Sequence, residues 1–506
     1  MCPIETRHLV LSYLLFCLLL CALSLFPNLV NYRDFSYTAY ASDLSSSGNN
    51  TGGNDNSNDT GKINDTPYGI KREPSQPIIN DPNLKVELVS EGLQLPTQMA
   101  FIGPNDILVL EKDTGMVKRI VNGVILQEPI LDVNVATAYE RGLLGIAIAK
   151  NHNETTQRNV SNVYLYYTQS KQDANDVCSD TGTCKKESQP LGNRLYRYEL
   201  VDNKLVNPNL LLDLPASPGA VHNGGAILMG PDKNLYVPIG EVGYQAGQIS
   251  NNVDGRPPNS TGGILRITQE GEAVGAPISG GDKNNESDKN STLVGIIGNK
   301  DPLNKYYAYG IRNSFGLDFD PVTGKLWDTE NGPGFGDEIN LVEPGFNSGW
   351  NRVQGMWQYQ LKSEEKLRDI GQNYYGGPVA PEKPGNLVDF GGKGKYSTPE
   401  FVWNQTVGAT AIKFLNSDKL GKDYQNDIFV GDIHNGNLYH FDLDKDRKEL
   451  ILDGPLKDRI ANNKNELQKV ILGQGFSGIT DIEFGPDGFL YILSFGNGEI
   501  YRIVPK

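Results

Sequence analysis

One phrase returns six times along this chain: a turn rich in Asn, Asp, Pro or Gly, then a short run of alternating aromatic and aliphatic residues. It stands at GPNDILVLEKDTGMVKRI from Gly103, NVYLYYT from Asn162, GPDKNLYVPIGE from Gly230, DPVTGKLWDTENG from Asp320, NDIFVGDIHNGNLYHFDLD from Asn426 and GPDGFLYILSFGNGEIYRI from Gly485. Period-two alternation bounded by turn residues marks strands that bury one face. A recurring strand unit cannot cover that face alone, so the copies must pack on one another. The expectation is an all-β chain forming a six-bladed β-propeller, each copy reading as turn, inner strand, second turn and next strand. A sandwich or jelly roll does not account for six returns of the same phrase. LKVELVS from Leu84 is a lone alternating strand that could pair with the last copy and close the ring. The copies are irregularly spaced, so insertions fall on loops, which is where binding residues concentrate.

Composition agrees with this reading: 57 Gly, 29 Pro and 24 Tyr against 5 Met describe many turns and many short aromatic-bearing strands. A net charge of −15 argues against a nucleic-acid partner or an anionic membrane face. Residues Leu9 to Val30 carry no charge and follow Arg7 and His8, so residues 1–41 are a signal peptide or a membrane anchor. Either implies export, with contact to a membrane only through this segment and an extracellular or cell-surface location. Residues 42–83 form a low-complexity linker too polar to offset its ordering entropy. The propeller then occupies residues 84–506. Nine Asn-x-Ser/Thr sequons fit an exported surface, and Cys178 and Cys184 are the only cysteines outside the leader, suited to a disulfide across a surface loop; a metal site is the weaker reading, since two thiols without a nearby histidine make half a zinc site at most.

The stretch from Tyr307 to Trp350 concentrates Arg312, Asn313, Glu330, Asp337, Glu338 and Asn340 around the kinked Asn331-Gly332-Pro333-Gly334. It reads as one wall of a polar site, with loop carbonyls free for a ligand or a hard cation, or as a glycine-rich turn beside a solvated acidic edge. His222 precedes an inner strand, and Glu241 at the next strand end could orient its imidazole for proton abstraction. A turn-capping histidine is the plainer alternative. His434 occupies a similar place in another copy, whereas His440 is expected to face out from its strand. Glu140 and Arg141 would line the channel mouth or form a surface ion pair of little worth. No phosphate-binding glycine loop, nucleophile elbow or HExxH helix is present, so nicotinamide and serine-hydrolase chemistry have no support.

In order along the body, LPTQMAFIGPNDILVLEKDTGMVKRI, ERGLLGIA, HNGGAILMGPDKNLYVPIGE, YGIRNSFGLDFDPVTGKLWDTENGPGFGDEINLV and GFSGITDIEFGPDGFLYIL resemble the glucose/sorbosone dehydrogenase family. That resemblance implies a six-bladed propeller that binds pyrroloquinoline quinone and calcium and oxidises the C1 hydroxyl of an aldose sugar to a lactone, passing electrons to an external acceptor. It implies His222 as the general base and Glu241 where the family has an aspartate orienting that histidine. Arg312 and Asn313 match cofactor contacts, and Gly332 and Pro333 match the pair whose carbonyls hold calcium. The chain also departs from the family: Glu140 stands for a glutamine, His434 for a cofactor lysine, and Gly478 and Thr480 for two arginines that grip the cofactor's carboxylates. Each such change removes a charge-assisted contact to an anionic ligand. A second expectation therefore stands beside the first, an extracellular propeller without the quinone that binds glycans or a protein. A metal-dependent lactonase rests on fold analogy alone.

Overall fold

The computed structural model describes residues 68–70, 76–153, 158–171, 190–243, 247–277, 293–358, 376–378 and 387–506. The expected leader over 1–41, the 42–67 part of the linker and the Cys178–Cys184 pair lie outside the described residues, as do the sequons at Asn49, Asn58, Asn64, Asn285 and Asn290. Among the described residues, α-helix is limited to the four-residue Lys464–Leu467, and no helix is long and apolar enough to cross a membrane.

The architecture is all-β and propeller-like. Pro96–Gly103 opens a sheet continued by Asp106–Glu111 and Met116–Val121. Leu143–Asn153, Arg158–Ser170, Pro190–Val201 and Lys204–Leu214 make the next, and Leu228–Met229, Leu235–Ile239, Gly263–Ile267 and Tyr306–Tyr309 open a third. Ser314–Phe319, Leu326–Glu330, Asp337–Val342 and Phe401–Trp403 follow, then Ala409–Phe414, Ile428–Asp432, Leu438–Phe441 and Ile471–Gln474. Ile479–Phe484, Leu490–Ser494 and Glu499–Pro505 form the sheet that Leu84–Glu91 completes, with Leu84 opposite Pro505 and Glu91 opposite Glu499.

The first strands of these sheets are neighbours in chain order. Pro96–Gly103 meets Leu143–Asn153, which meets Leu228–Met229; Leu235–Ile239 meets Ser314–Phe319. Ser314–Phe319 then meets Ala409–Phe414, Ala409–Phe414 meets Ile479–Phe484, and the last returns to Pro96–Gly103. Polar side chains latch several of these contacts. Ile146 N donates to Gln98 at 2.7 Å, Phe414 N to Asp318 at 2.8 Å and Met99 N to Asp481 at 2.8 Å. The half-buried Lys413 ammonium lies 2.9 Å from Glu483 and 3.8 Å from Asp318.

Each of the recurring phrases falls in a different sheet, but its first strand is second in the sheet, where an inner strand was expected. The reason is enclosure. Leu235–Ile239, Ile428–Asp432 and Leu490–Ser494 are buried along their whole length because neighbouring sheets cover both faces, so they read most strongly as apolar runs. The true first strands are partly open and read more weakly, as in Pro96–Gly103 and Ile479–Phe484. Between sheets lie aromatic-rich cores, one built on Trp327, Phe401, Trp403, Phe414, Tyr439 and Phe441. Each such side chain contributes about 1.5–3 kcal/mol by leaving water.

The fold also takes in residues assigned above to the linker. Ile78–Ile79 pairs with Gln474 and Gly473, and Asn80 N donates to Leu472 O at 2.8 Å. A two-residue edge strand between Pro77 and Asn80 carries no periodic signal, so the sequence places the boundary too late.

Candidate functional site

Antiparallel order puts the starts of the first strands and the ends of the second strands at one end of the ring. Glu140, His222, Arg312 and Asn313 each lie just ahead of a first strand; Glu241, Gly332, Pro333 and His434 each lie just after a second. Strand direction alone therefore brings residues from distant parts of the chain to one place.

His222 is buried and holds its backbone in the left-handed region, φ 61°. For a non-glycine residue this is a strained conformation that the surroundings must impose. They do so from three sides. His222 N donates to the Glu140 carboxylate at 2.6 Å, its carbonyl accepts from Val242 N at 3.3 Å, and Nδ1 lies 2.6 Å from Glu241 Oε1. A carboxylate at Nδ1 favours the tautomer with its proton there, which leaves Nε2 as an acceptor. Glu241 is itself buried, and its N–H donates to Arg312 O at 3.0 Å.

Glu140 and Asn313 join this unit to the next. Asn313 Nδ2 donates to Glu140 at 3.0 Å, and Gly224 N donates to Asn313 Oδ1 at 3.1 Å. Glu140 and Arg141 thus do not form a surface ion pair, one of the two alternatives the sequence offered. Glu140 braces the histidine loop, and Arg141 is buried and donates to Ala216 O at 2.6 Å and Gly219 O at 3.1 Å. Arg312 N donates to Glu330 at 2.6 Å, its guanidinium donates to Asn331 O at 2.8 Å, and it lies 5.5 Å from the Trp350 ring centre.

The Gly332-Pro333 loop is held by Asp337. This buried carboxylate accepts from Gly332 N at 2.9 Å, from Thr406 Oγ1, and from Val407 N and Gly408 N at 2.8 and 2.7 Å. A Cβ at Gly332 would fall 1.8 Å from Phe335 O, so only glycine fits, while Gly334 borders open space. Among the described hydrogen bonds, neither the Gly332 nor the Pro333 carbonyl accepts one. His434 approaches from the next sheet, its N–H donating to Val407 O at 3.2 Å. The residue is exposed, and partial desolvation of its ring lowers its pKa while Asp337 acts the other way.

The acidic residues of the Tyr307–Trp350 stretch are not a solvated edge. Asp328, Glu330, Glu338 and Asn340 project from one face of adjacent strands, all buried. Glu330 accepts from Arg312 N and from Ser348 Oγ at 2.6 Å; Glu338 accepts from Gly355 N at 2.5 Å and Gln354 Nε2 at 3.0 Å. Burial pushes Asp328 up to about 7 and Glu338 up to about 8, and burial with Glu338 and Asp328 nearby holds Glu330 well above the carboxylate range. These acids form the scaffold behind the loop.

Thr480 is not joined to this network by any described bond; its hydroxyl donates to Pro96 O at 2.8 Å. Beside it Gly478, φ 81°, leaves no room for a side chain: a Cβ would lie 2.9 Å from Ile433 O and 3.1 Å from Ile70 Cγ2. Sequence reasoning missed this contribution from residues ahead of the body. Tyr68 donates to Asp113 at 2.8 Å, accepts from the buried Lys112 at 2.6 Å and meets Phe495 edge-on at 5.8 Å. Glu140 lies near enough to act on Lys112, whose pKa burial lowers. Only the isolated Tyr and Ile in a polar run could have signalled it.

The arrangement can take a proton at His222, orient that group through Glu241, present an arginine and an amide beside it, and offer two loop carbonyls to a hard cation. A family model described as Glucose / Sorbosone dehydrogenase matches residues 93–502. The aldose sugar dehydrogenase YliI of Escherichia coli is 24% identical over 427 residues, 84% of this chain and 93% of its own length. Quinoprotein glucose dehydrogenase B of Acinetobacter calcoaceticus is 24% identical over 409 residues, 72% of this chain and 78% of its own. The PQQ-bound aldose sugar dehydrogenase of Streptomyces coelicolor shares the fold with a TM-score of 0.53 at 19% identity, over 86% of this chain and 100% of that one.

Proposed function

Because the chain belongs to the glucose/sorbosone dehydrogenase family, we propose that it oxidises the C1 hydroxyl of an aldose to the lactone, with pyrroloquinoline quinone and calcium at the His222 end of the ring. We read the sheets as the blades of a six-bladed propeller; the cyclic order of their first strands supports this count. We further read the protein as exported and as passing its electrons to an external acceptor. The observation that carries the enzymatic reading is the buried His222–Glu241 pair, 2.6 Å apart.

The residues fit calcium at the Gly332-Pro333 loop, where two carbonyls without described partners stand on a backbone pinned by Asp337. They fit the quinone in part, since Arg312 and Asn313 line the place while Thr480 is turned to Pro96. When bound, the quinone supplies the hydride acceptor and calcium a Lewis acid. The chain's own contribution is at the proton. His222 Nε2 takes the C1 hydroxyl proton, Glu241 favours the imidazolium that results, and Glu140 holds the histidine backbone in place. The filled space at Gly478 and the committed Thr480 hydroxyl favour one other reading, a binding module for glycans or a protein.

Calorimetric titration of the protein with pyrroloquinoline quinone in calcium, beside dye-linked oxidation of an aldose panel, separates the two. The dehydrogenase predicts calcium-dependent binding weakened in Arg312→Ala, and oxidation reduced about 100- to 10,000-fold in His222→Ala. Absence of quinone binding at millimolar concentration would leave the binding module.

A further inference from the structure

The hairpin formed by Ile428–Asp432 and Leu438–Phe441 carries a second cluster, at the end away from His222. Its register pairs Phe429 with His440 and Ile428 with Phe441. One step further, Asp427 comes opposite Asp442, on the same face as His440. Like charges directly across a strand pair are destabilising unless something positive lies between them. His440 Nε2 is 3.0 Å from Asp427 Oδ2 and 3.6 Å from Asp442 Oδ1, and one ligand atom from each of the three lies within 4.8 Å of the others.

These separations suit a metal ion. Bonds of about 2.0–2.2 Å place two ligands about 3.0 Å apart at a right angle and about 3.4 Å apart at a tetrahedral angle. The imidazole is held for such a role, meeting Tyr424 edge-on at 4.9 Å and Phe429 at 5.1 Å, while Tyr424 donates to Asp81 at 2.7 Å. The Asp442 side chain is 54% exposed, so an ion has a path in and water can complete its shell.

We propose that Asp427, His440 and Asp442 bind one divalent transition-metal ion of the zinc class, at the end of the ring opposite the His222 site. An imidazole between two carboxylates selects zinc, cobalt or nickel over calcium, which takes oxygen ligands in greater number. The ion would neutralise the facing aspartates and fasten the open end of the hairpin.

Metal-stripped full-length protein titrated with Co2+ tests the site, since its ligand-field absorption reports nitrogen and oxygen coordination directly. One Co2+ is expected to bind, to be displaced by Zn2+, and to bind about tenfold or more weakly in His440→Gln and in Asp442→Asn. Asp442→Asn changes a half-exposed side chain and so tests the site even where His440→Gln perturbs folding. No Co2+ absorption up to millimolar metal, unchanged affinity in both variants, or equal displacement by Ca2+ would each overturn the assignment.

Discussion

His222 unites a left-handed backbone with a buried imidazole clamped at Nδ1, and neither property is needed for packing alone. Glu241 provides the clamp. Glu241→Gln keeps the shape but replaces a charged acceptor with an amide that can also donate, so the histidine loses its fixed tautomer and its support for positive charge. Dye-linked turnover is expected to fall about 10- to 1,000-fold with KM changed far less, which steady-state kinetics on a reactive aldose would show. A purely structural Glu241 would instead lower thermal stability and leave turnover per folded molecule intact. Most of this site was legible in the sequence, since His222, Glu241, Arg312, Asn313, Gly332 and His434 stand at strand ends that strand direction gathers. The role of Glu140 was not. Its carboxylate serves a backbone N–H and an amide contributed by segments 82 and 173 residues away, and such a partner leaves no local trace.

At the scale of elements, periodicity recovered the strands and misjudged their depth, because full enclosure, as in Leu490–Ser494, writes a stronger apolar signal than the half-open first strands do. It also identified Leu84–Glu91 as a strand awaiting a partner, and the structure pairs it with Glu499–Pro505. What it could not see was the short Ile78–Ile79 edge and the Tyr68 anchor, each too brief for a pattern. Two truncations test these parts together. A chain starting at residue 67 retains Tyr68, Ile70 and every described strand and is expected to melt in one cooperative transition. A chain starting at residue 92 leaves Glu499–Pro505 with an open edge and exposes Leu84's place in the core built with Leu490, Ile492 and Ile503. It is expected to lose that transition in calorimetry, because an unpaired inner edge both costs burial and invites aggregation.

Across the folded body, buried acids give a common pH response. Burial raises Asp318 and Asp432 to about 6, Asp328 and Glu400 to about 7 and Glu338 to about 8. Each holds its proton more tightly folded than unfolded, so between about pH 4 and pH 8 the native state binds more protons and stability falls as pH rises. Melting temperature is therefore expected to decline from about pH 5 to pH 8 and to level off above it. Glu338→Gln, which removes the group with the highest of these values, should flatten the upper part of that decline by on the order of 1 kcal/mol or more. A melting temperature that instead climbs steadily across this range would mean that the acids are ionised and paired with a cation. The closing sheet has a further consequence, for the order of events during synthesis. Its outer strand, Leu84–Glu91, leaves the ribosome before any other strand of that sheet, and its partner, Glu499–Pro505, leaves last. More than four hundred residues must be made before the two can meet, so Leu84–Glu91 waits with its hydrogen bonds to water until Glu499–Pro505 has been made, and the ring can lock only then.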